Sequence, residues 1–310
     1  MYEHKTIEMN RRSWDTISAH YQASTRISTD DVHYGFLAPG ERELGLLGDG
    51  SAETCAERFA VTQRNRSAEA SPRSVVGKRV IEIGCGGGQN SIALSKWGAT
   101  CVGIDPSPAQ IAHARRLALE NGVEAQFVEG MAEDLSAFPD GSFDIALSSY
   151  AFDYVTDLRR AYDEAWRVLR SPDPTAGKPG GLFVFCLSHP WFQAVGWHLS
   201  GDPDAPEIGD YAAWPNVQEF DWTYDDGTTA RLRDHLRTLE QIVNELMEAG
   251  FVLERLVEQN IEVVAKASPE ELARLPYVSK FDPASQEYQI LRKLPHTLII
   301  RARKGASQYG

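Results

Sequence analysis

One stretch of sequence decides the fold of this chain: Val80-Ile81-Glu82-Ile83-Gly84-Cys85-Gly86-Gly87-Gly88-Gln89-Asn90, followed by Val102-Gly103-Ile104-Asp105. An apolar strand enters a glycine-rich turn that begins a helix, and a second apolar strand ends in an acid about 20 residues past the turn. Glycine lets the backbone approach a ligand closely, and the acid can hold ribose hydroxyls. The stretch therefore predicts a nucleotide-type cofactor site.

The spacing of the glycines distinguishes this site from the common dinucleotide sites. A nicotinamide or flavin site has the pattern G-x-G-x-x-G, whereas this chain has Glu82-x-Gly84-x-Gly86-x-Gly88. A pyrophosphate seeks a helix N-terminus and cations, so an acid beside the turn disfavours a dinucleotide and leaves an NAD-linked oxidoreductase as a remote alternative. No Gly-Lys-Ser/Thr follows the turn, which excludes a P-loop. A chance glycine turn would not also place acids before the glycines and after the next strand.

Beyond this stretch the sequence alternates predicted strands with predicted helices, which is typical of a parallel sheet covered on both faces. Pro108 after Ser107 suits the start of a helix, and Gly122 suits its end. Thr238 with Gln241 predicts a further helix start, and Gly250 closes that helix. The predicted strands are 80–83, 100–105, 125–128, 143–148, 182–187, 252–258 and 297–302, and the main predicted helices are 91–97, 108–121, 157–169 and 239–247.

These residues resemble motif I of the class I S-adenosylmethionine (SAM) methyltransferases. The chain is most similar, over residues 75–190, to the small-molecule enzymes of ubiquinone biosynthesis and natural-product pathways. SAM carries a sulfonium and no phosphate, so an acid beside the turn is acceptable. The resemblance implies SAM as cofactor, S-adenosylhomocysteine as product, and a Rossmann-like, doubly wound α/β sheet of seven strands with helices on both faces.

The resemblance also assigns residues to the cofactor. Asp105 is expected at the ribose, residues 127–135 beside the adenine ring, and residues 143–149 beside the methionine portion. Many members of the family carry Asp where this chain has Met131, so we expect the adenine amino group to be recognised by Glu133 or by the backbone, with Met131 stacking on the ring. The predicted cofactor contacts are Glu82, Gly84, Cys85, Gly86, Gly88, Asn90, Asp105, Pro106, Gln110, Met131, Ala132, Glu133, Ser148 and Tyr34.

Three segments lie outside the strand–helix alternation. In residues 1–47, Trp14, Ile17 and Tyr21 recur with helical period and predict an amphipathic helix, and the family resemblance implies that this helix acts as a lid. Residues 48–75 are polar, as in a linker or a surface insertion. The methyltransferase domain is expected over residues 76–310, and its aromatic-rich part, 190–235, predicts a substrate cap. The alternative for that part is a loop with its own small hydrophobic core.

Three residues are predicted to take part in the transfer: His189, Tyr21 and Asp153. A base helps when the acceptor is a hydroxyl, and His189 follows the fifth strand, where doubly wound sheets bind ligands. The alternative is that His189 only caps the strand end, that Tyr21 belongs to a core-facing stripe, and that Asp153 begins the next helix. The predicted acceptor contacts are Tyr150, Tyr154, Trp191, Trp197, Trp222 and Tyr224.

The acceptor atom stays open at this level. His189 favours a hydroxyl of a secondary metabolite or quinone-like compound. Aromatic faces would equally stabilise a carbocation during C-methylation of a prenylated compound, and a nitrogen acceptor fits as well. A protein or RNA methyltransferase is disfavoured because Ser148-Ser149-Tyr150-Ala151 stands where such enzymes carry Asn-Pro-Pro-Tyr. An alternative of another class is a protein that binds SAM without transferring the methyl group.

Composition limits the partners of the protein. Its 310 residues are 42% hydrophobic, enough for one large domain, and 44 acids against 31 bases give a net charge of -13 that weighs against nucleic-acid binding. The sequence has no secretory leader pattern and no apolar stretch of spanning length, which predicts a cytoplasmic protein without membrane contact. Four scattered cysteines predict neither a disulfide framework nor a metal site. A homo-oligomer formed through the N-terminal helix remains open.

Overall fold

The computed structural model describes residues 2–25, 27–35, 38–48, 73–196, 209–261, 268–272 and 282–306. Most of the predicted 48–75 linker, together with Trp197, lies outside these ranges. The strands are β1 (Arg79–Ile83), β2 (Thr100–Asp105), β3 (Gln126–Glu129), β4 (Ile145–Ser149), β5 (Leu182–Ser188), β6 (Asn216–Thr223), β7 (Thr229–Leu236), β8 (Phe251–Asn260) and β9 (Pro295–Lys304). The helices are α1 (Tyr2–Thr25), α2 (Glu41–Leu44), α3 (Gln89–Lys96), α4 (Pro108–Glu120), α5 (Leu158–Val168), α6 (Pro190–Gly196), α7 (Leu239–Glu248), α8 (Pro269–Leu272) and α9 (Gln286–Leu291).

Seven strands form one sheet in the order β3-β2-β1-β4-β5-β9-β8. Strands β1 to β5 are parallel, and β9 runs antiparallel to both β5 and β8. The predicted seven-stranded, doubly wound α/β sheet is confirmed. The strand order reverses between β1 and β4, and in such sheets the crevice at the reversal is where ligands bind.

Both faces of the sheet are covered, which explains why its central strands carry apolar side chains on both faces. Val80 packs into a cluster with Leu94 and Trp97 of the α3 side, whereas its neighbour Ile81 packs into a second cluster with Tyr162 of α5 and Leu246 of α7. Successive side chains of a strand point to opposite faces, so a strand buried on both faces shows no polar alternation.

Helix ends follow the local signals in the sequence. The hydroxyl of Ser107 accepts a hydrogen bond from the amide of Gln110 and so caps α4, and Thr238 caps α7 through the amide of Gln241. One strand prediction needs correction: β4 begins at Ile145 rather than Phe143. The backbone of Phe143 pairs with Val168 and Arg170 at the end of α5.

The aromatic-rich segment contains a two-stranded antiparallel sheet, β6–β7, that stands apart from the main sheet. Helix α1 lies along it: the hydroxyl of Ser13 donates to the carbonyl of Arg231 at 2.5 Å, and Ile17 packs with Trp222 and Leu232. The N-terminal helix and the hairpin therefore form one layer beside the main sheet. Among the residues described, no helix combines the length and apolarity needed to cross a bilayer.

Candidate active site

A cavity of about 270 Å³ lies at the carboxyl ends of the central strands, where the strand order reverses. Its floor is the turn after β1 and the end of β2. Its walls come from the segment after β4, the start of β9 and the β6–β7 hairpin, and α1 covers it. Residues far apart in the sequence thus meet around a single space.

The glycine turn on the floor has a conformation that favours glycine. Gly84 and Gly86 have φ angles of 71° and 49°, in the left-handed region. A Cβ at Gly84 would lie 2.1 Å from the Cβ of Ala151, so this glycine allows close packing of the turn against the segment after β4. A Cβ at Gly86 would meet no described atom within 4 Å, and Gly86 lines the cavity. The turn therefore leaves room for a ligand to lie directly against the backbone.

Asp105 ends β2 beside this turn. Its carboxylate accepts hydrogen bonds from the amide of Gly86 and from the amide of Ser107, both at 2.9 Å. Burial raises the pKa of this carboxyl to about 6, and the two amide bonds act against the rise. An acceptor held in this way, at the edge of a cavity, suits the hydroxyls of a ribose.

Glu82 also lines the cavity, yet its contacts tie it to the fold. Its Oε2 accepts from the amide of Ser91 at 2.9 Å and from the Ser91 hydroxyl at 2.6 Å, which satisfies the first turn of α3. Burial raises the pKa of the Glu82 carboxyl to about 7. The acid before the glycines therefore joins β1 to α3 as well as facing the ligand space.

The predicted adenine segment lies at the cavity wall, where Met131, Ala132 and Glu133 all line the space, as do Pro106 and Gln110. One carboxylate oxygen of Glu133 accepts from the amide of Thr156 at 2.9 Å. Recognition of the adenine amino group by Glu133 stays a prediction.

Helix α1 covers the glycine turn through a network of three glutamines. Gln22 donates to Gln110 at 2.9 Å and accepts from Gln89 at 2.5 Å. A Cβ at Gly87 would lie 2.5 Å from the Gln22 amide nitrogen, so a side chain at this position would displace the Gln22 amide. The predicted lid rests on the stripe Trp14, Ile17 and Tyr21, and Gln22 lies outside that stripe, so the sequence pattern does not indicate it.

The far end of the cavity has aromatic walls and buried acids. Trp14 contacts Tyr21, Tyr154 and Trp222 edge to face, with ring centroids 5.2, 5.6 and 6.1 Å apart. Two aspartates also line this end: Asp153 was predicted from the sequence, whereas Asp234 on β7 was not. His296, at the start of β9, joins them.

The structure does not bring His189 to the cavity. The ring is fully buried, its Nδ1 accepts from the amide of Trp191 at 3.1 Å, and its Nε2 lies 2.9 Å from Glu258. Because Nδ1 accepts, the proton is on Nε2 and is donated to Glu258. This is the strand-end role, and it leaves no ring nitrogen for an acceptor.

His296 lies where a histidine near the acceptor was expected. Its Nδ1 is 3.3 Å from the hydroxyl of Tyr150, whose backbone has a φ of 57°, and Phe192 packs on the ring at 4.0 Å. Burial lowers the pKa of His296 to about 3, so the ring is neutral at physiological pH. The sequence feature that indicates His296 is its position after Pro295, at the start of the last strand. This strand pairs with β5, and its first residues lie beside the end of β5.

Several other predicted contacts lie outside the cavity lining. The Tyr34 hydroxyl donates to Glu41 at 2.7 Å inside the core, and Asn90 accepts from the amide of His33 at 2.8 Å. Trp191 is 45% exposed and stacks on Tyr211. Gly88, Ser148 and Tyr224 likewise do not border the space, whereas Cys85, Tyr150, Tyr154 and Trp222 do.

Comparison with known proteins agrees with this geometry. A family model described as a methyltransferase domain matches residues 81–185. The ubiquinone biosynthesis O-methyltransferase of Azorhizobium caulinodans is 40% identical over 93 residues, which cover 29% of this chain and 36% of that protein. The ajmaline N-methyltransferase of Rauvolfia serpentina is 29% identical over 167 residues, or 53% and 52% of the two chains. The chain thus spans about a third to a half of the length of these relatives.

Among solved structures, a SAM-dependent methyltransferase from Mesorhizobium loti superposes with a TM-score of 0.51 and 25% identity, covering 82% of this chain and 99% of that one. Residues 81–185 therefore form a methyltransferase domain, its fold is that of the SAM-dependent methyltransferases, and SAM is the cofactor of such domains. The residues present fit it. Gly86 leaves open space against the backbone, and the Asp105 carboxylate faces that space.

Proposed function

We propose that this protein transfers a methyl group from SAM to a small-molecule acceptor. The observation that carries the proposal is the continuity of the cavity, which joins the Gly86–Asp105 floor to the aromatic end around Trp14 and Trp222. A cofactor on the floor and an acceptor at the aromatic end would lie in the same enclosed space, as a direct transfer requires.

The residues of this chain contribute alignment and exclusion of water. When bound, SAM supplies a methyl group on a positively charged sulfur. Asp105 and the backbone of the glycine turn would hold its nucleoside end, while α1 and the hairpin cover the space above. Positioning of two reactants in this way contributes on the order of 7–11 kcal/mol to lowering a barrier.

The size and charge of the cavity support a small acceptor. Its lining is mainly apolar, aromatic rings line the acceptor end, and Arg11 is the one lysine or arginine among the described residues that line it. A nucleic-acid substrate requires clustered cations to neutralise phosphates, so this cavity disfavours it. The Azorhizobium and Rauvolfia relatives, whose names state a ubiquinone-pathway and an ajmaline substrate, support the same size class.

The preference for a hydroxyl acceptor loses its basis here, because it depended on His189 acting as a base. With that ring bound to Glu258, the groups that face the acceptor end include Asp153, Asp234 and the neutral His296. The choice among oxygen, nitrogen and carbon acceptors must rest on these residues.

The proposal is tested by incubating the protein with methyl-labelled SAM and pools of small aromatic alcohols, amines and prenylated compounds. We expect one pool to gain the mass of a methyl group, and we expect Asp105→Ala to abolish the gain. Binding of S-adenosylhomocysteine without transfer to any pool would contradict the proposal and would favour a protein that only binds the cofactor.

A further inference from the structure

We infer that the acceptor carries a basic amine, bound as an ammonium by the carboxyl groups of Asp153 and Asp234 inside the aromatic end of the cavity. This inference rests on the proposed methyl transfer and names the substrate class for it.

Asp234 is the first observation that points to a cationic ligand. It lies on β7, is 5% exposed and lines the cavity. Its Oδ1 is fully buried, and no residue of the described chain hydrogen-bonds to it. A buried carboxylate oxygen without a partner is costly, and a ligand with a positive charge would supply the missing interaction.

Asp153 brings a second carboxyl group to the same place. Its Oδ2 accepts from the amide and the hydroxyl of Ser188 at 3.1 and 3.0 Å, which fixes the side chain. Its backbone carbonyl accepts from the amide of His235 at 2.7 Å. This bond holds the strand that carries Asp234 against the segment that carries Asp153.

Arg237 is the cationic residue beside this pair, and its hydrogen bonds go to backbone carbonyls. Its guanidinium donates to the carbonyls of Phe152 and Val155, and within the described residues it forms no ion pair with either aspartate. If both carboxyls were ionised, one negative charge beside this arginine would be uncompensated. A buried charge needs a partner, and an ammonium from the ligand would provide it.

The pKa values of the two aspartates agree with a binding site for a cation. Burial raises the pKa of Asp153 to about 6. Burial raises the pKa of Asp234 well above its ordinary range, the Asp153 charge adds to the rise, and Arg237 opposes it. Without a cation beside it, the pair therefore retains a proton at neutral pH.

Two histidines and two tyrosines around the pair are neutral at pH 7. Burial lowers the pKa of His235 to about 4 and that of His296 to about 3, and burial raises the pKa of the Tyr21 and Tyr150 hydroxyls. None of them would supply the missing positive charge at pH 7.

The aromatic walls suit the same ligand. Trp14, Tyr154 and Trp222 line the cavity beside the two aspartates, and aromatic faces attract an ammonium as well as a flat apolar skeleton. An alcohol of the same skeleton would satisfy the apolar walls but would leave the carboxyl pair without a counter-charge.

The chemistry balances for an amine. The ammonium gives one proton to a carboxylate oxygen of the pair, which frees the nitrogen lone pair. That lone pair forms the new N–C bond while the C–S bond of the sulfonium breaks and its electrons stay on sulfur. The products are an N-methylated ammonium and a neutral thioether.

The test uses the full chain saturated with S-adenosylhomocysteine and a panel of aryl-alkylamines that includes tryptamine and phenethylamine. Each amine is titrated by calorimetry against the alcohol of the same skeleton, such as tryptophol for tryptamine. We expect the best amine to bind at least about tenfold more tightly than its alcohol. We also expect its binding at pH 7 to release protons, measured as a heat that depends on the buffer.

Asp234→Asn keeps the shape of the side chain and removes its charge, and Asp225→Asn at the exposed turn of the same hairpin is the matched control. We expect Asp234→Asn to remove the amine preference and the proton release, with S-adenosylhomocysteine affinity unchanged, and the control to retain both.

Equal binding of amines and alcohols, or no amine binding to a protein that does bind S-adenosylhomocysteine, would overturn the inference. Retention of the preference by a folded Asp234→Asn variant would do the same. The wild-type comparison stands even if the variant does not fold. Failure of S-adenosylhomocysteine itself to bind would instead overturn the proposed function, and this inference with it.

Discussion

At the scale of single residues, Gly84 and Gly86 have similar backbone angles but serve different neighbours. Gly86→Ala places a methyl group in open space, so we expect only backbone strain, about 1–2 kcal/mol of stability. The same methyl group would occupy the part of the cavity in which the ligand is proposed to lie against the Gly86 backbone. We therefore expect at least about a tenfold loss of S-adenosylhomocysteine affinity. Gly84→Ala meets Ala151 at 2.1 Å and should lose more stability. Thermal unfolding and calorimetry measure the two effects.

Gly77→Ala is the matched control for this pair. Gly77 has a φ of 71° and no described atom within 4 Å of its Cβ position, but it is exposed and far from the glycine turn. Gly77→Ala should lose stability through backbone strain but keep the wild-type affinity for S-adenosylhomocysteine. Wild-type affinity in Gly86→Ala would count against ligand contact at this position.

Glu82 gives the stability of the protein a defined pH dependence. Its pKa is raised from 4.5 to about 7 in the folded protein, so its contribution to stability is complete below pH 4.5 and is lost as pH rises to 7. In Glu82→Gln the amide oxygen can still accept both bonds from Ser91. We expect the wild type to lose up to about 3 kcal/mol relative to Glu82→Gln between pH 4.5 and 7.5, measured by urea unfolding. If the unfolding free energies of the wild type and Glu82→Gln changed in parallel with pH, the raised pKa of Glu82 would be contradicted.

The residues of the cofactor floor were predictable from the sequence, whereas those of the acceptor end were not. Gly84, Gly86 and Asp105 lie within one strand–turn–helix–strand unit, so their arrangement is local. Asp234 and His296 reach the cavity because β7 pairs with β6 and β9 pairs with β5. Local sequence patterns do not predict such long-range contacts.

At the scale of elements, α1 and the β6–β7 hairpin hold each other over the cavity. The side chain of Asn10 donates to the carbonyl of Arg233 and accepts from its amide, both at 2.9 Å. These bonds cover the edge of β7 that does not pair with β6. The lid and the predicted substrate cap therefore form a single covering layer.

We expect Asn10→Ala to destabilise this layer by about 1–3 kcal/mol, because it leaves two backbone groups at a buried edge without that partner. Hydrogen exchange measures the effect directly, and amides of α1 and β7 should exchange faster than in the wild type while those of β1 and β4 stay unchanged. Thr16→Ala, on the exposed face of α1, is the control and should exchange like the wild type. Unchanged exchange in Asn10→Ala would show that other contacts hold the layer.

Elements of the main sheet were predictable because each carries its own signals. The strand Thr100–Asp105 and the caps at Ser107 and Thr238 agree with the sequence patterns. The hairpin was expected only as a substrate cap or a loop with a small core. Charged and apolar residues alternate along its strands, and the apolar ones are explained only by the packing of α1 against them.

At the scale of the whole molecule, the cavity draws residues from nearly the full length of the chain. Its lining runs from Ile7 in α1, through the floor at Gly86 and the hairpin at Trp222, to His296 in the last strand. Loss of either end of the chain would therefore open the site, although the cofactor motif lies in the middle. The family resemblance covers that middle part, which is why the sequence indicated the cofactor clearly and the acceptor poorly.

The most direct measurement of the central claim is a calorimetric titration of the purified protein with S-adenosylhomocysteine, with NAD as comparison, repeated with Asp105→Ala. We predict binding of S-adenosylhomocysteine with a dissociation constant on the order of micromolar, no binding of NAD, and at least about a hundredfold loss of affinity in Asp105→Ala. Absence of S-adenosylhomocysteine binding by the folded wild type, or equal affinity in the variant, would contradict a cofactor site built on the glycine turn and Asp105.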